Sequence, residues 1–582
     1  MLNPLPALPL PVSLRDLQLE GDLAVRALLN YSRLEGHWYR PWEVFGADKH
    51  GWPGDWEGRV ILALVSQATA THREPAWLRQ ILELLPKHLN ERGYLGKICE
   101  EGWANEQQLA GHSWLIRGLI AQHDRQPDPA LKEMIGTIVR NLFLPVAANF
   151  RNYPITLAQV MEPDHWELSH PQSKTKSHKG SIDTGCGFIL MDGLTEAWRF
   201  LKWPKIRGMI EVMIERFFKL DLEGAHIQTH ATLTCLRGIC RYAELTGDKA
   251  ILNRVCKVFS RYKSVAMTEH YGNYNWWGRP RWTEPCAIID SFILSVWLWR
   301  LTGRSEYIAD AHHIYYNALG HALRAEGCFG TDFCLGAVPP EEDGGLASYN
   351  PLMLQPRTYE VYWCCTMRGG EFFARAHEAV FYSQGENVWL PMYHNATATV
   401  AGMVLRETTE YPYIGSVRVE VLKAVAKSTR TLHFYIPPWK TQRPTATLNG
   451  AKVASKQAKG FLVISGSFKA GDVIGVEFGC GLHVVAPHNE NTVPGVHAFH
   501  HGPMLLAVEQ EAGDEEATPK PAMAGPLPAS TEFESLERAK YRAKTRPDTV
   551  LAPVYDIERL TRPWSARQAL FADEACGCGH SH

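Results

Sequence analysis

Between Leu17 and Phe381, apolar residues recur at helical spacing in twelve segments broken by Gly, Pro and short polar turns. The first six run from Leu17 to Leu34, Glu57 to Thr71, Ala76 to Glu91, Glu106 to His123, Ala130 to Leu144 and Asp183 to Leu201. The second six run from Lys205 to Phe217, Ala231 to Leu245, Lys249 to Ala266, Ala287 to Thr302, Ser305 to Leu323 and Gly369 to Phe381. Leu245-Thr246-Gly247-Asp248 and Leu301-Thr302-Gly303-Arg304 each end a helix at a glycine suited to the left-handed position, then begin another. Twelve helices in six hairpins match an (α/α)6 toroid, whose inner ring lines a central cavity; an irregular helical solenoid is the alternative.

After Tyr382 the apolar period drops to two. Val417, Val419 and Val421 alternate with other residues, as do Leu432, Phe434 and Ile436, and Asn449-Gly450 marks a tight hairpin. Short strands of this kind build a β-sandwich. The expected fold is therefore multidomain: an (α/α)6 toroid over residues 1–381, a C-terminal β-sandwich over 382–509, and a linker with a strand-containing extension over 510–582. At 582 residues the chain exceeds what one hydrophobic core supports, which agrees with that division.

Charge and cysteine usage exclude several classes. A formal net charge of −2, with no basic stripe interleaved with aromatics, speaks against a nucleic-acid partner. No stretch reads as a membrane span and no secretory leader is evident near Met1, so a cytoplasmic protein is expected. Thirteen cysteines, an odd number without framework spacing, read as reduced thiols plus a metal site. An exposed face of the sandwich could support a homodimer.

Two fragments far apart in sequence carry the chemistry, Thr283-Glu284-Pro285-Cys286 and Trp363-Cys364-Cys365-Thr366. Each sits just before or at a helix start. Together they offer one carboxylate and three thiols, a donor set for tetrahedral Zn²⁺. Residue types alone leave a second reading open, in which Cys286 is a small buried apolar residue and Cys364-Cys365 a chance pair. Three long loops, Asn149 to Ile182, Thr268 to Trp282 and Gly327 to Tyr362, are further places to look for function. The second packs Glu269, His270, Trp276 and other aromatics into ten residues just ahead of Glu284. Ser173 to Lys179 reads as a solvated polar loop, and the tail Cys576-Gly577-Cys578-Gly579-His580-Ser581-His582 carries soft-metal ligand types at a free end.

Asn105-Glu106-Gln107-Gln108-Leu109-Ala110-Gly111-His112, Glu269-His270-Tyr271-Gly272, Glu284-Pro285-Cys286-Ala287, and Cys364-Cys365 followed by Arg368 occur in an order that resembles glycoside hydrolase family 127. The strand region is similar too, through Ile436-Pro437-Pro438-Trp439, Leu448-Asn449-Gly450, Gly471-Asp472 and Gly502-Pro503. The resemblance implies a retaining β-L-arabinofuranosidase-like enzyme with a zinc-bound cysteine nucleophile, releasing a terminal L-arabinofuranose-like or related uncommon sugar from plant or algal glycans. It implies Cys364 as nucleophile, Glu269 as general acid/base, and Glu284, Cys286, Cys364 and Cys365 as zinc ligands. His112 and His230 would contact the sugar; Asp55, Trp276 and His270 are further candidates for substrate contact. Where the family shows a Gly-His pair opening a central helix, this chain has Gly185-Cys186-Gly187-Phe188, and the interval from Glu269 to Glu284 is shorter. The other expectations carried forward are a non-catalytic glycan-binding protein with structural zinc, and a toroid epimerase or lyase.

Overall fold

The computed structural model describes residues 9–46, 51–99, 102–159, 178–179, 181, 183–279, 282–335, 353–425, 429–512, 525–555 and 565–573. Ser173 to Ser177, most of the Pro- and acid-rich stretch after Gln510, and the tail from Cys576 lie outside the described residues.

Twelve principal helices are described: α1 Gly21–Leu34, α2 Asp55–Thr71, α3 Leu78–Leu84, α4 Glu106–Arg125, α5 Pro129–Ile138, α6 Leu190–Leu201, α7 Pro204–Phe217, α8 Thr229–Thr246, α9 Lys249–Val265, α10 Pro285–Thr302, α11 Glu306–Ile314 and α12 Cys365–Glu378. The even-numbered helices close a ring: α2 packs on α4, α4 on α6, α6 on α8, α8 on α10, α10 on α12, and α12 returns to α2. The odd-numbered helices alternate with them in sequence and form the outer layer of an (α/α)6 toroid. Burial follows from that placement. Outer helix α9 buries only Leu252, Val255, Cys256, Phe259, Tyr262 and Val265, a single stripe. Inner helix α10 is buried nearly all round. Its 18 residues have the length and hydropathy of a membrane span, which the sequence reading passed over, yet most of that surface lies inside the ring.

Inner helices approach closely where glycine removes the side chain. A Cβ on Gly58 of α2 would lie 2.1 Å from the Leu115 backbone nitrogen of α4, and one on Gly238 of α8 would lie 2.6 Å from the Met191 carbonyl of α6.

Several elements depart from the periodicity, among them the fifth expected helix, which ends at Ile138 and passes into a π turn, Val139–Phe143. Leu17–Leu19 is a strand, not the start of a helix, because it pairs antiparallel with Ala396–Val400. The third helix stops at Leu84 and tightens into a 3-10 turn, Leu85–His88, where Pro86 has no N–H to continue an α-helical ladder. The segment expected to form the eleventh helix passes after Ile314 into a wider π turn, Tyr315–Leu319.

The β-sandwich is built from a six-stranded and a seven-stranded sheet. Leu10–Pro11 adds an edge to the first, beside Tyr382–Gln384, and Leu17–Leu19 adds an edge to the second. Ser416–Ala424 shows the alternating burial its valines predict. A further ten-stranded sheet joins Asp332–Leu335 and Met353–Pro356 to strands between Leu482 and Ala572. In the region after 510, the described residues form strands and one 3-10 turn, Glu537–Ala539.

The glycine contacts give a direct test. Gly58→Ala should destabilise the protein by about 3 kcal/mol, because the obstacle is backbone and cannot rotate away. The shift in a urea unfolding midpoint would measure it.

Candidate active site

Glu284 and Cys364 are the residues immediately preceding α10 and α12, and Cys286 and Cys365 lie in the first turns of those helices. Because α10 and α12 are ring neighbours, the two fragments meet although about eighty positions separate them. The Sγ atoms of Cys364 and Cys365 are 3.3 Å apart, and those of Cys286 and Cys365 3.6 Å apart. One ligand atom from each of the three cysteines falls within 4.8 Å of the others, and the same holds for His230, Glu284 and Cys286. His230, from the first turn of α8, sits between two carboxylates: Nδ1 is 3.5 Å from Glu284 Oε1 and Nε2 is 3.5 Å from Asp290 Oδ2.

The electrostatics are those of a dry, crowded site. Burial pushes the Glu284 carboxyl well above the usual range, and the charge on Cys286 adds to this. For Cys286 burial also opposes charge, but hydrogen bonds from the Cys364 and Cys365 thiols and the nearby Arg59 guanidinium outweigh it and bring this thiol down. Arg59 Nη1 stands 3.7 Å from Cys286 Sγ. Burial lowers His230 to about 4, so the ring is neutral at pH 7.

A cavity of about 320 Å³ opens above this cluster, lined by Trp52, Asp55, Trp56, Glu57, Arg59, Asp183, Gln228, His230, Glu284, Trp363 and Cys364, among others. Cys364 reaches it; Cys286 and Cys365 are buried behind. Arg59 is held in place by Asp55, whose two carboxylate oxygens accept from its Nε at 2.9 and 2.8 Å.

Residues 387–480 match the family model for the GH127 middle domain of β-L-arabinofuranosidases. No curated protein sequence matches the chain. Among solved structures, the GH127 β-arabinofuranosidase BT3674 superposes with a TM-score of 0.69 at 14% identity, covering 97% of this chain and 98% of that one. The GH127 β-L-arabinofuranosidase from Geobacillus stearothermophilus T6 gives 0.69 at 14% identity, covering 96% and 99%. This is the GH127 fold.

Within the GH127 frame the sequence-predicted residues separate into two groups. Glu284, Cys286, Cys364, Cys365, His230 and Asp55 come together at the cavity floor. His112 does not: it is fully buried, its Nε2 accepts from the Leu95 backbone N–H at 2.9 Å, and its Nδ1 meets the Gln108 carbonyl at 2.8 Å. Both ring nitrogens are therefore committed to the backbone, and the expected sugar contact is corrected to a structural role. His270 is likewise away from the cavity lining, with Nδ1 on Thr268 Oγ1 at 2.8 Å and its ring edge toward His321. Trp276 acts one step removed, donating from Nε1 to Asp183 Oδ1 at 2.8 Å.

Glu269 requires the largest correction. Its carboxylate accepts from the backbone N–H groups of His488 and Asn489, both at 3.0 Å, and from Thr492 Oγ1 at 2.5 Å, with His488 Nδ1 at 3.1 Å. It is not among the cavity-lining residues. Burial works against the charge, but His488 and these donors outweigh it and hold the carboxyl at about 2. In this structure Glu269 ties the toroid to the segment at 488–492 and does not face the cavity. The sequence reading had no means of pairing it with donors more than two hundred positions away.

Arg59, Asp183, Gln228 and Asp290 were not singled out from sequence. For Arg59 the signal was present, four residues after Asp55 on one helix face. Asp183 and Gln228 stand in no recognisable motif.

This tie predicts a pH signature. Glu269 titrates at about 2 when folded against 4.5 as a free side chain, so its stabilisation is complete above pH 4.5 and is lost as pH falls through 2. Glu269→Gln should lower stability by about 2–3 kcal/mol at pH 7, with the gap from the parent narrowing below pH 4.5. Unfolding midpoints across that range would show it.

Proposed function

We propose that this chain is a retaining glycosidase that uses a zinc-held cysteine to release a terminal L-arabinofuranose-like sugar from a glycan. The observation that carries the reading is the convergence of three thiols beside the toroid cavity, with the half-buried Glu284 carboxylate and His230 grouped about one of them, Cys286. The GH127 likeness of the whole fold and of residues 387–480 supports it.

The donor set suits zinc. Among the described residues Glu284 Oε2 is buried without a hydrogen-bond partner, and the three Sγ atoms hydrogen-bond chiefly to one another. Three thiolates and one carboxylate oxygen make a tetrahedral shell, so Glu284, Cys286, Cys364 and Cys365 would hold the ion. Bound zinc would keep the thiols deprotonated at neutral pH.

Roles follow from access. Cys364 is the nucleophile, since of the three cysteines it alone lines the cavity. Arg59, fixed by Asp55, lends positive charge to the sulfur cluster. Neutral His230 offers a ring nitrogen to a sugar hydroxyl, and Trp52, Trp56 and Trp363 give the cavity walls aromatic faces suited to the C–H side of a sugar ring. An apolar wall with a few fixed polar groups is the ordinary make-up of a small-molecule pocket.

Purified protein should contain one zinc per chain by elemental analysis, and Cys286→Ser or Cys365→Ser should remove metal and activity together. Against a panel of aryl L-arabinofuranosides and related pentosides, intact-mass measurement should show a glycosyl adduct on Cys364, absent in Cys364→Ala. A metal-free protein that stays fully active after chelation would overturn the mechanism. A metal-containing protein that binds glycans but turns over none of the panel would favour the glycan-binding alternative.

A further inference from the structure

We propose that Asp183 is the acid/base residue of this site, giving a proton to the departing oxygen and taking one from the incoming water. The proposal rests on the glycosidase reading above and fills the role that Glu269 vacates.

Among the described residues, five carboxylic acids line the cavity: Glu43, Asp55, Glu57, Asp183 and Glu284. Asp55 is gripped by Arg59 through both oxygens. Glu57 accepts the Gly54 N–H at 3.1 Å and faces the positive end of its own helix. Glu43 lies 3.8 Å from the His37 ring. Glu284 belongs to the thiol cluster. Asp183 differs from the other four. Its Oδ1 accepts from Trp276 Nε1 at 2.8 Å and its Oδ2 from Gln228 Nε2 at 2.9 Å, both neutral donors, and no cationic side chain pairs with it among the described residues.

A carboxyl placed this way can hold a proton or release it without breaking an ion pair. Among the described residues each oxygen keeps a lone-pair direction free beyond its single hydrogen bond, and the Trp276 donor, which favours the anion, is opposed by burial, which favours the acid. Position is fixed as well. The Gln228 backbone N–H bonds to the Thr184 carbonyl at 2.9 Å, and Gln228 and Trp276 face each other across an antiparallel bridge, so the two donors and Asp183 form one rigid corner of the cavity. Burial raises the Asp183 carboxyl above the ordinary range, which suits a proton donor working nearer neutrality.

The two half-reactions balance. In the first, the Cys364 thiolate sulfur bonds to the anomeric carbon, the bond from that carbon to the leaving oxygen breaks with its electrons passing to oxygen, and the Asp183 proton moves there. In the second, a water oxygen bonds to the anomeric carbon, its proton passes to the Asp183 carboxylate, and the carbon–sulfur electrons return to Cys364. The division of labour is that of retaining glycosidases generally, with sulfur in place of the second carboxylate.

The test uses full-length Asp183→Asn beside the parent, on arabinofuranosides whose leaving groups range from dinitrophenol to an alkyl alcohol. Alkyl glycosides need the proton, so kcat/KM on them should fall by about 10²- to 10⁴-fold, while the dinitrophenyl substrate should lose about threefold or less. The same variant should accumulate the Cys364 adduct on the dinitrophenyl substrate, and azide should speed its release. Asp183→Glu, which keeps the acid, should recover part of the alkyl activity. Unchanged alkyl turnover in Asp183→Asn, or equal losses on both substrates with no adduct, would overturn the assignment while the parent's activity left the glycosidase reading standing. A parent inert on every substrate would overturn that reading and this one with it.

Discussion

The helical ring is plugged at its centre by charge rather than by hydrocarbon. Arg117, Arg237 and Arg368 converge on Glu371, Arg237 and Arg368 also bind Asp290, and Arg117 and Arg241 bind Asp192; all of these groups are buried. The Arg59, Arg117 and Arg368 guanidiniums also lie over the indole of Trp114, at 4.1, 4.7 and 4.6 Å from a ring centroid. Taking so many ions out of water is costly, and removing one partner would strand another in low dielectric. What the arrangement provides is register. The charged residues come from five of the six inner helices, so the network closes only when those helices stand at the right height and rotation. Asp290 links this plug to the site above, since it also accepts from Thr234 Oγ1 at 2.6 Å and lies 3.5 Å from the His230 ring.

Above the plug, the chemistry is gathered by a simple device. Asp55, His230, Cys286 and Cys365 lie in the first turns of four inner helices, with Glu284 and Cys364 immediately ahead of two of them. The cavity thus looks down on helix beginnings, whose free N–H groups and dipoles favour thiolate and carboxylate. Side chains there are set by rigid elements rather than by the long loops, which explains how a site assembled from residues spread over more than three hundred positions can be compact.

How much of this was legible in the sequence depends on the distance over which each signal acts. Helical periodicity is local, and it located all twelve helices; the sites of failure were equally local, such as Pro86 ending a helix early. Leu17–Leu19 was misread because three residues cannot declare a period, and only its partner at 396–400 makes it a strand. The thiols and Glu284 were legible because their residue types are rare and their spacing is tight. His112 and Glu269 were not, since a histidine or a glutamate looks the same whether it faces a ligand or a backbone amide. The Leu95 amide and the 488–492 segment decide those two cases, and neither is adjacent in sequence. Asp183 carried no signal at all: its distinction lies in neutral neighbours, which only the folded chain supplies.

The two short strands near the start of the chain bear on how the protein is made. Leu10–Pro11 and Leu17–Leu19 hydrogen-bond to residues at 382–383 and 396–398, so one edge of each sandwich sheet is supplied by a segment made well before its partners. The other strands of these sheets run on to Gly466 and Glu477, so neither sheet can be finished until the whole helical ring has been synthesised. The ends of the toroid sequence are thereby tied together by backbone pairing of very high sequence separation. Such contacts form slowly, and they leave the opening residues dependent on late partners for their hydrogen bonds.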